Sequence, residues 1–211
     1  MDDPNASNKI IVVDDPVSSL DRSRREYTTD LLVQMSEKSS QLILLAHDAN
    51  FLRDTRVRFQ KRQPTTQIST TQIERIAGDY SNFSAIDLDR ECETPYYTNY
   101  RMVDEFVSGM HNDARGAATA LRPLLEGYLH RRFPGKLPSN SMLGVALSEI
   151  DAAVAPSPLV HIQNSTTELR DLNSFAGNFH HDTNPDYASH IADPISIAAF
   201  GQRVLDILHG A

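Results

Sequence analysis

The sequence predicts an α/β fold, with a partial parallel sheet in the N-terminal half and an α-helical domain in the C-terminal half. Two short apolar runs, Ile10 to Val13 and Leu42 to Ala46, have the uninterrupted, aliphatic pattern of buried parallel strands. Beyond residues 90–98 the pattern changes from short strands to long amphipathic helices. We therefore predict one domain over residues 1–94 and a second over residues 95–211.

The first strand is predicted to lie in the centre of the sheet and to be covered on both faces, because every residue from Ile10 to Val13 is apolar. Asp21 is placed to cap a helix that follows it. Apolar residues recur at helical spacing beyond that cap, namely Tyr27, Leu31, Leu32 and Met35. With the second strand, this helix completes a βαβ unit over residues 10–46.

A second helix is predicted over residues 50–61, and a β-hairpin turning at Gly78-Asp79 is predicted at the edge of the same sheet. The helix carries a basic run made of Arg53, Arg56, Arg58, Lys61 and Arg62. A run of this kind is able to follow a nucleic-acid backbone, although a solvated helix face is the more common reason for it. The shorter run from His130 to Arg132 allows the same two interpretations.

The second half is predicted to be an all-helical bundle. Its amphipathic segments cover residues 102–110, 117–129, 141–154 and 194–209, and the last ends at Gly210. Ser165 and Glu168 have the spacing of a capping box, which predicts the start of a further helix. Three tyrosines near the boundary are predicted to pack there: Tyr96, Tyr97 and Tyr100.

Composition narrows the class of protein. The chain has 211 residues, 40% of them hydrophobic, and a formal net charge of −8, which argues against a surface that binds nucleic acid or anionic membrane throughout. Cys92 is the single cysteine, so no internal disulfide forms. No apolar run approaches the roughly 20 residues of a membrane helix, and the acidic N-terminus is unlike a secretory signal. We expect a cytoplasmic protein without a membrane partner.

Acidic and imidazole side chains follow the two predicted strands. Asp14 and Asp15 end the first strand and His47 follows the second. Ligands of open α/β sheets bind at the carboxyl ends of the strands, so we expect these three side chains to meet there. Asp14 is suited to hold magnesium through its water shell, and Asp15 to orient or deprotonate an attacking water. His47 is suited to donate to a phosphate whose charge develops during transfer.

These residues resemble the second half of an ABC-type P-loop ATPase. The segment IIVVDDP is similar to a Walker B strand, SSLD to a D-loop and LLAHD to the strand of the switch histidine. The form DDPVSSLD resembles the SMC-like ATPases of bacterial defence, including the RloC/PrrC-like anticodon nucleases. The resemblance implies a partial P-loop-type sheet, ATP and Mg²⁺ as cofactors, Asp14 at the metal, and Asp15 and His47 as catalytic residues. It also implies that Ser19 and Asp21 contact nucleotide or a second subunit.

The first half of such an ATPase is not found in this sequence. A phosphate-binding loop needs Gly, four residues, and Gly-Lys before Ser or Thr, but Gly135-Lys136 is preceded by His130 in place of Gly and followed by Leu137. No Ser-Gly-Gly signature precedes the acidic strand. We therefore expect either a C-terminal fragment or a protein whose P-loop lobe comes from another chain. The expected partner is that lobe or a second ATPase subunit, in a homodimer, and the chain alone should bind ATP poorly.

The acidic strand allows two other interpretations. A strand that ends in paired acids is also typical of a response-regulator receiver. A receiver, however, needs helix, strand and helix before its phospho-acceptor strand, and residues 15–41 leave room for one helix only. A non-catalytic interaction module with a degenerate ATPase remnant stays open as an alternative.

The helical half contains a second set of candidate catalytic residues. Arg122 and Glu126 lie four residues apart on one predicted helix, and His180 follows another. Arg, Glu and His together are able to cleave RNA without a metal, by proton transfer and by stabilising the charge of the phosphorane. The stretches around these residues resemble the C-terminal region of RloC/PrrC-like proteins, which implies tRNA or another nucleic acid as a partner. An ordinary ion pair and helix cap is the alternative.

Overall fold

Two parallel strands form the centre of the first part of the molecule in a computed structural model, which describes residues 6–17, 22–180 and 186–210. Strand β1 (Ile10–Asp14) pairs with β2 (Gln41–Leu45), with Val12 opposite Ile43 and Asp14 opposite Leu45. The chain divides into two compact units, Met1–Glu93 and Thr94–Ala211. Each unit is described by itself.

Two helices cover one face of this parallel pair. Helix α1 (Arg22–Glu37) joins the strands and α2 (Ala49–Arg62) follows β2. The buried side chains between helices and strands are Val17, Leu32, Val33, Phe51 and Phe59. The predicted apolar face of α1 is partly wrong, because Tyr27 is 66% and Leu31 38% exposed. Leu32 faces the core as predicted, together with Val33 and the hydroxyl-bearing Thr29, which the predicted face did not include.

The other face of the parallel pair is open, which contradicts the prediction of a strand covered on both sides. Alternate residues of each strand point to this face, and Ile10 and Val12 are 59% and 60% exposed. Ile43 and Leu45 of β2 are more than one-third exposed on the same face. Within the described residues no third strand pairs with β1 or β2.

The hairpin forms at the predicted turn but belongs to a different sheet. Strands β3 (Thr71–Arg75) and β4 (Ser81–Ala85) pair antiparallel, and Gly78 and Asp79 both have positive φ. The two strands form a sheet of their own rather than the edge of the β1–β2 sheet, so that part of the prediction is wrong. The short helix α3 (Leu88–Glu91) follows and contacts α2.

The second unit is helical in every regular element that the described residues contain. Its α-helices are α4 (Pro95–Val107), α5 (Ala114–Arg132), α6 (Leu143–Ala152), α7 (Thr166–Gly177) and α8 (Pro194–His209), with a 3-10 helix at Pro158–Ser165. Helices α4, α5 and α8 pack on one another, and α6 and α7 pack on α5. No helix in the described ranges combines the length and the apolar character needed to cross a membrane.

Helix ends in this unit follow the sequence in part. Helix α8 begins at Pro194 and ends before Gly210, whose φ of 75° suits glycine. Helix α4 begins earlier than predicted, at Pro95, because proline is favourable at the first position of a helix. Helix α7 begins directly after Ser165, as the sequence predicts, but the capping box itself is absent, since Ser165 makes no side-chain cap hydrogen bond.

Glu168 instead joins α7 to α8. Arg203 Nε and Nη2 donate to the two carboxylate oxygens of Glu168 at 2.7 and 2.8 Å, and Nη2 also donates to Asp171 at 2.6 Å. The hydrogen bonds from Arg203 hold the pKa of Glu168 below its ordinary value of 4.5. A bidentate guanidinium–carboxylate pair fixes both distance and orientation of the two helices.

Replacing Glu168 with Gln is expected to weaken this unit in a pH-dependent way. A depressed folded-state pKa stabilises the protein above the unfolded pKa, and the stabilisation is lost as pH falls through the folded value. Because the pair is partly exposed, we expect a melting temperature lower by roughly 2–5 °C at neutral pH. The difference should shrink as pH falls below 4.5 and through the lowered pKa of Glu168, and thermal unfolding of both proteins across this range measures it. An equal difference at every pH would show that the charge of Glu168 is not the cause.

Candidate functional site

The carboxyl ends of β1 and β2 bring the predicted acids close to the predicted histidine. Asp14 is the last residue of β1 and lies opposite Leu45. The backbone N–H of Asp15 donates to the Leu45 carbonyl at 2.8 Å, which extends the pairing by one residue. His47 lies two residues beyond the end of β2. Parallel pairing therefore sets these residues at one edge of the sheet.

Asp15 and His47 are in direct contact. His47 Nδ1 lies 3.2 Å from Asp15 Oδ1. The imidazole is 77% exposed, so a ligand from solvent can reach the pair from the side of the ring, whereas the Asp15 oxygen that faces the ring is buried. A carboxylate that engages one ring nitrogen fixes the ring orientation and leaves the other nitrogen for a second partner. The structure thus unites two of the predicted site residues, and their chemical roles stay predictions.

The backbone of Asp15 has an unusual conformation that aims its side chain. Its φ is +41°, in the left-handed region, which a residue before proline adopts rarely. Pro16 follows, and the next residue, Val17, is 2% exposed and anchors the loop in the core of the unit. Aspartate tolerates this region better than most residues do. Strain of this kind is concentrated at functional sites, so it supports a functional role for Asp15.

A second acid, which the sequence analysis did not single out, fixes the loop that carries His47. Asp48 accepts from the Phe51 backbone N–H at 3.1 Å and caps α2. Its other oxygen accepts from Arg25 Nη1 of α1 at 2.6 Å. The backbone hydrogen bond from Phe51, followed by the hydrogen bond from Arg25, lowers the pKa of Asp48. The cap was readable from the sequence as an aspartate before a helix, but its link to Arg25 was not.

Of the three remaining predicted ATPase residues, Asp14 lies within the described residues. Asp14 is exposed at the end of β1, and Ser19 and Asp21 lie outside the described residues. No group of three or more His, Cys, Asp or Glu side chains suited to a metal occurs in the part of the chain that the structure describes. Magnesium in nucleotide sites is held by one or two carboxylates together with phosphates and waters, so the single carboxylate of Asp14 fits this ion. The donor set does not fit a metal bound by protein alone.

An open groove lies between α1 and α2. It encloses about 480 Å³ and is lined by Arg25, Glu26, Thr29, Asn50, Phe51, Asp54 and Arg58. Asp14, Asp15 and His47 do not line it. Its charged groups are two arginines and two carboxylates, so it has no excess positive charge for a triphosphate.

The predicted nuclease pair is formed, in a setting that favours packing. Arg122 is 7% exposed, and its Nε donates to Glu126 Oε1 at 3.1 Å. The same oxygen accepts from the Leu143 backbone N–H at 2.7 Å, so Glu126 ties α5 to the first residue of α6. Within the described residues, Arg122 forms a hydrogen bond with Glu126, and Glu126 also accepts one from the Leu143 backbone. Neither side chain forms a hydrogen bond with His180 there. The predicted grouping of three is therefore incomplete.

A different histidine lies on the same stripe of α5. His130 is one turn beyond Glu126, and its Nε2 lies 3.4 Å from the Ser141 carbonyl oxygen and 3.3 Å from Ser141 Oγ. Arg122, Glu126 and His130 are spaced four residues apart, which places them on one helix face. His130 was not predicted to belong to this group, although its spacing of four residues from Glu126 is visible in the sequence.

The basic run of α2 is largely neutralised by nearby carboxylates. Arg53 lies 3.3 Å from Asp54, and Arg56 lies 2.8 Å from Asp89. Arg58 and Arg62 lie 3.6 and 3.4 Å from the same Asp30. The solvated, ion-paired helix face is therefore the better interpretation of this run.

Fold and site together define a mixed α/β protein with a carboxylate–imidazole pair at the ends of parallel strands, the place where this class binds ligands. A family model described as "AAA domain" (AAA_13) matches residues 1–205. The chain therefore belongs to this P-loop ATPase family. No curated protein and no solved structure matches the chain.

Proposed function

We propose that this chain supplies the acid-and-histidine half of an ATP-hydrolysing site, which a lobe carrying the P-loop completes. The observation that carries the proposal is the 3.2 Å contact between Asp15 and His47 at the carboxyl ends of two parallel strands. Membership of the AAA domain family supports ATP as the substrate class. A phosphate-binding loop is absent from the sequence, which is why the proposal requires a second lobe.

Each residue has a distinct task in the proposed site. Asp14 holds Mg²⁺, which when bound neutralises charge on the phosphates. Asp15 accepts a proton from the attacking water through its carboxylate and keeps the His47 ring in place. His47 donates a hydrogen bond to the transferring phosphate as negative charge grows on its oxygens. By the family resemblance, Ser19 and Asp21 reach the nucleotide or a second subunit.

The open face of the β1–β2 sheet supports the need for a partner lobe. Ile10, Val12, Ile43 and Leu45 present aliphatic side chains to solvent on this face. Parallel sheets are normally covered on both faces, and two strands alone make a marginal sheet. A lobe that adds strands at the free edges and covers this face would bury the four side chains. We further propose, from the resemblance alone, that the assembled ATPase is a homodimer acting in bacterial defence.

Replacing Val12 with Asp tests the partner lobe. Val12 is 60% exposed, so the exchange should leave the core beneath α1 and α2 intact and preserve the circular dichroism spectrum. A buried, unpaired carboxylate in the completed sheet is expected to weaken association by at least about a hundredfold. Co-purification of the lobe with wild type and variant measures this.

The control for the Val12 exchange is Val57→Asp on α2, which is 38% exposed and lies away from the open face. Association of the lobe with this variant should match the wild type. Equal binding of the lobe to the Val12 variant and to wild type would show that the open face is not the contact.

A further inference from the structure

One end of the helical unit gathers tyrosine rings and cations. Tyr96 at the start of α4 contacts the last turn of α5, and Arg131 Cζ lies 3.9 Å from the centre of its ring. The Tyr97 ring meets the Tyr96 ring edge to face, with centroids 5.5 Å apart. Arg132 is the last residue of α5, and Lys136 follows within the next turn. We call this set, Tyr96, Tyr97, Arg131, Arg132 and Lys136, the tyrosine–arginine patch.

The cations of this patch differ from most others in the chain because they have no carboxylate nearby. Arg131, Arg132 and Lys136 are exposed, and none lies within 4 Å of an acidic side chain of the described residues. Most arginines do have such a partner, including all four of the α2 run. In a protein of net charge −8, the patch is therefore a local concentration of uncompensated positive charge.

The aromatic part of the patch is accessible. Tyr97 is 59% exposed, which differs from its predicted packing role, whereas Tyr96 and Tyr100 are half-buried and support α5 and α8. Tyr100 Oη lies 3.1 Å from His209 Nε2, which fixes the end of α8 beside α4. The exposed Tyr97 ring is held in place by Tyr96, which is itself packed against α5. A ring restrained in this way can stack on a ligand and loses little conformational entropy on binding.

We propose that the tyrosine–arginine patch binds single-stranded nucleic acid. A base stacks on Tyr97, and the phosphates of the strand contact Arg131, Arg132 and Lys136. Sequence-tolerant single-strand binding combines these two features, an aromatic platform and a cationic track. An acidic peptide would use the cations but not the ring, and a duplex hides its base faces. The surface goes beyond the proposed ATPase and does not depend on it.

Fluorescence anisotropy with the full chain tests the surface, using labelled oligouridine and oligothymidine of about 16 nucleotides. Replacing Tyr97 with Ala should raise Kd at least about fivefold, and Tyr97→Phe should restore binding because the ring is retained. The double variant Arg132→Gln/Lys136→Gln should reduce the slope of log K against log salt by about 1.4. The Kd values for oligouridine and oligothymidine should differ only if the protein contacts the 2′-hydroxyl group.

Matched controls come from the first unit. Tyr80→Ala removes a ring that is 71% exposed, and Lys38→Gln/Lys61→Gln removes two exposed lysines without acidic partners. Both controls should bind like wild type. The proposal is overturned if the wild type binds neither strand at low salt, if the Lys38/Lys61 variant loses as much affinity as the patch variant, or if duplex or polyglutamate competes as well as oligouridine.

Discussion

Exchanging Asp15 for Asn is expected to lower the ATP turnover number of the assembled ATPase by about 10²- to 10⁴-fold. The amide keeps the size of the side chain and tolerates the positive φ of +41°, but it cannot take a proton from water. It also removes the charge that engages His47 Nδ1 at 3.2 Å. Steady-state hydrolysis with nucleotide binding measured in parallel separates a loss of turnover from a loss of affinity.

A matched control exists in Asp79, a second aspartate with positive φ. Its φ is +63°, and it pairs with Arg75 at the exposed hairpin tip. Asp79→Asn removes the same charge from the same backbone conformation, and turnover should stay at the wild-type level. If Asp15→Asn hydrolyses ATP as fast as Asp79→Asn does, Asp15 is not the catalytic base.

Truncating Glu126 to Ala is expected to lower the free energy of unfolding of the helical unit by about 3–5 kcal/mol. The exchange leaves the guanidinium of Arg122 buried without its carboxylate, because that residue is only 7% exposed. It also removes the acceptor of the Leu143 N–H at the start of α6. Urea unfolding followed by circular dichroism measures the change.

Two further variants separate packing from catalysis at this pair. Glu126→Gln retains an acceptor for the Leu143 N–H and should cost less than Ala, and Arg122→Met with Glu126→Gln should recover stability because no buried charge remains. The RNA-cleavage alternative expects a different pattern, in which the stable variants lose ribonuclease activity. If Glu126→Ala unfolds like the wild type, the pair has no packing role.

The βαβ unit was predictable because each of its signals is local. Two aliphatic runs of strand length separated by one helix favour parallel pairing by a crossover, and this pairing brings Asp15 and His47 to the same edge of the sheet. Helix α8 was predictable for the same reason, since Pro194 and Gly210 mark its two ends.

The missed features depend on contacts between residues distant in the chain. Helical periodicity placed Tyr27 and Leu31 on the apolar face of α1 together with Leu32, but packing against the sheet buries Leu32 and Val33 and leaves Tyr27 and Leu31 exposed. The uninterrupted apolar strand of Ile10 to Val13 indicated two covered faces, and the described residues supply cover for one. The position of the hairpin turn was predicted correctly because it depends on local sequence. The sheet to which the hairpin belongs depends on tertiary contacts, and it was not predicted.

The same division holds at the candidate sites. Asp48 was visible as a helix cap, but its hydrogen bond from Arg25 spans 23 positions. The sequence predicted that Glu168 would form a capping box with Ser165, but Glu168 instead accepts hydrogen bonds from Arg203 of a different helix. A sequence motif shows which residues are neighbours along the chain. Which interaction a charged side chain forms depends also on charged residues that are distant in the sequence.

The most direct test of the account is ATP turnover by this chain, measured alone and together with a lobe that carries the P-loop. We expect no hydrolysis above background from either component alone, and sustained, magnesium-dependent hydrolysis from the assembled pair. Hydrolysis by this chain alone, or no hydrolysis from a pair shown to be assembled, would contradict the claim that Asp14, Asp15 and His47 form half of a shared site.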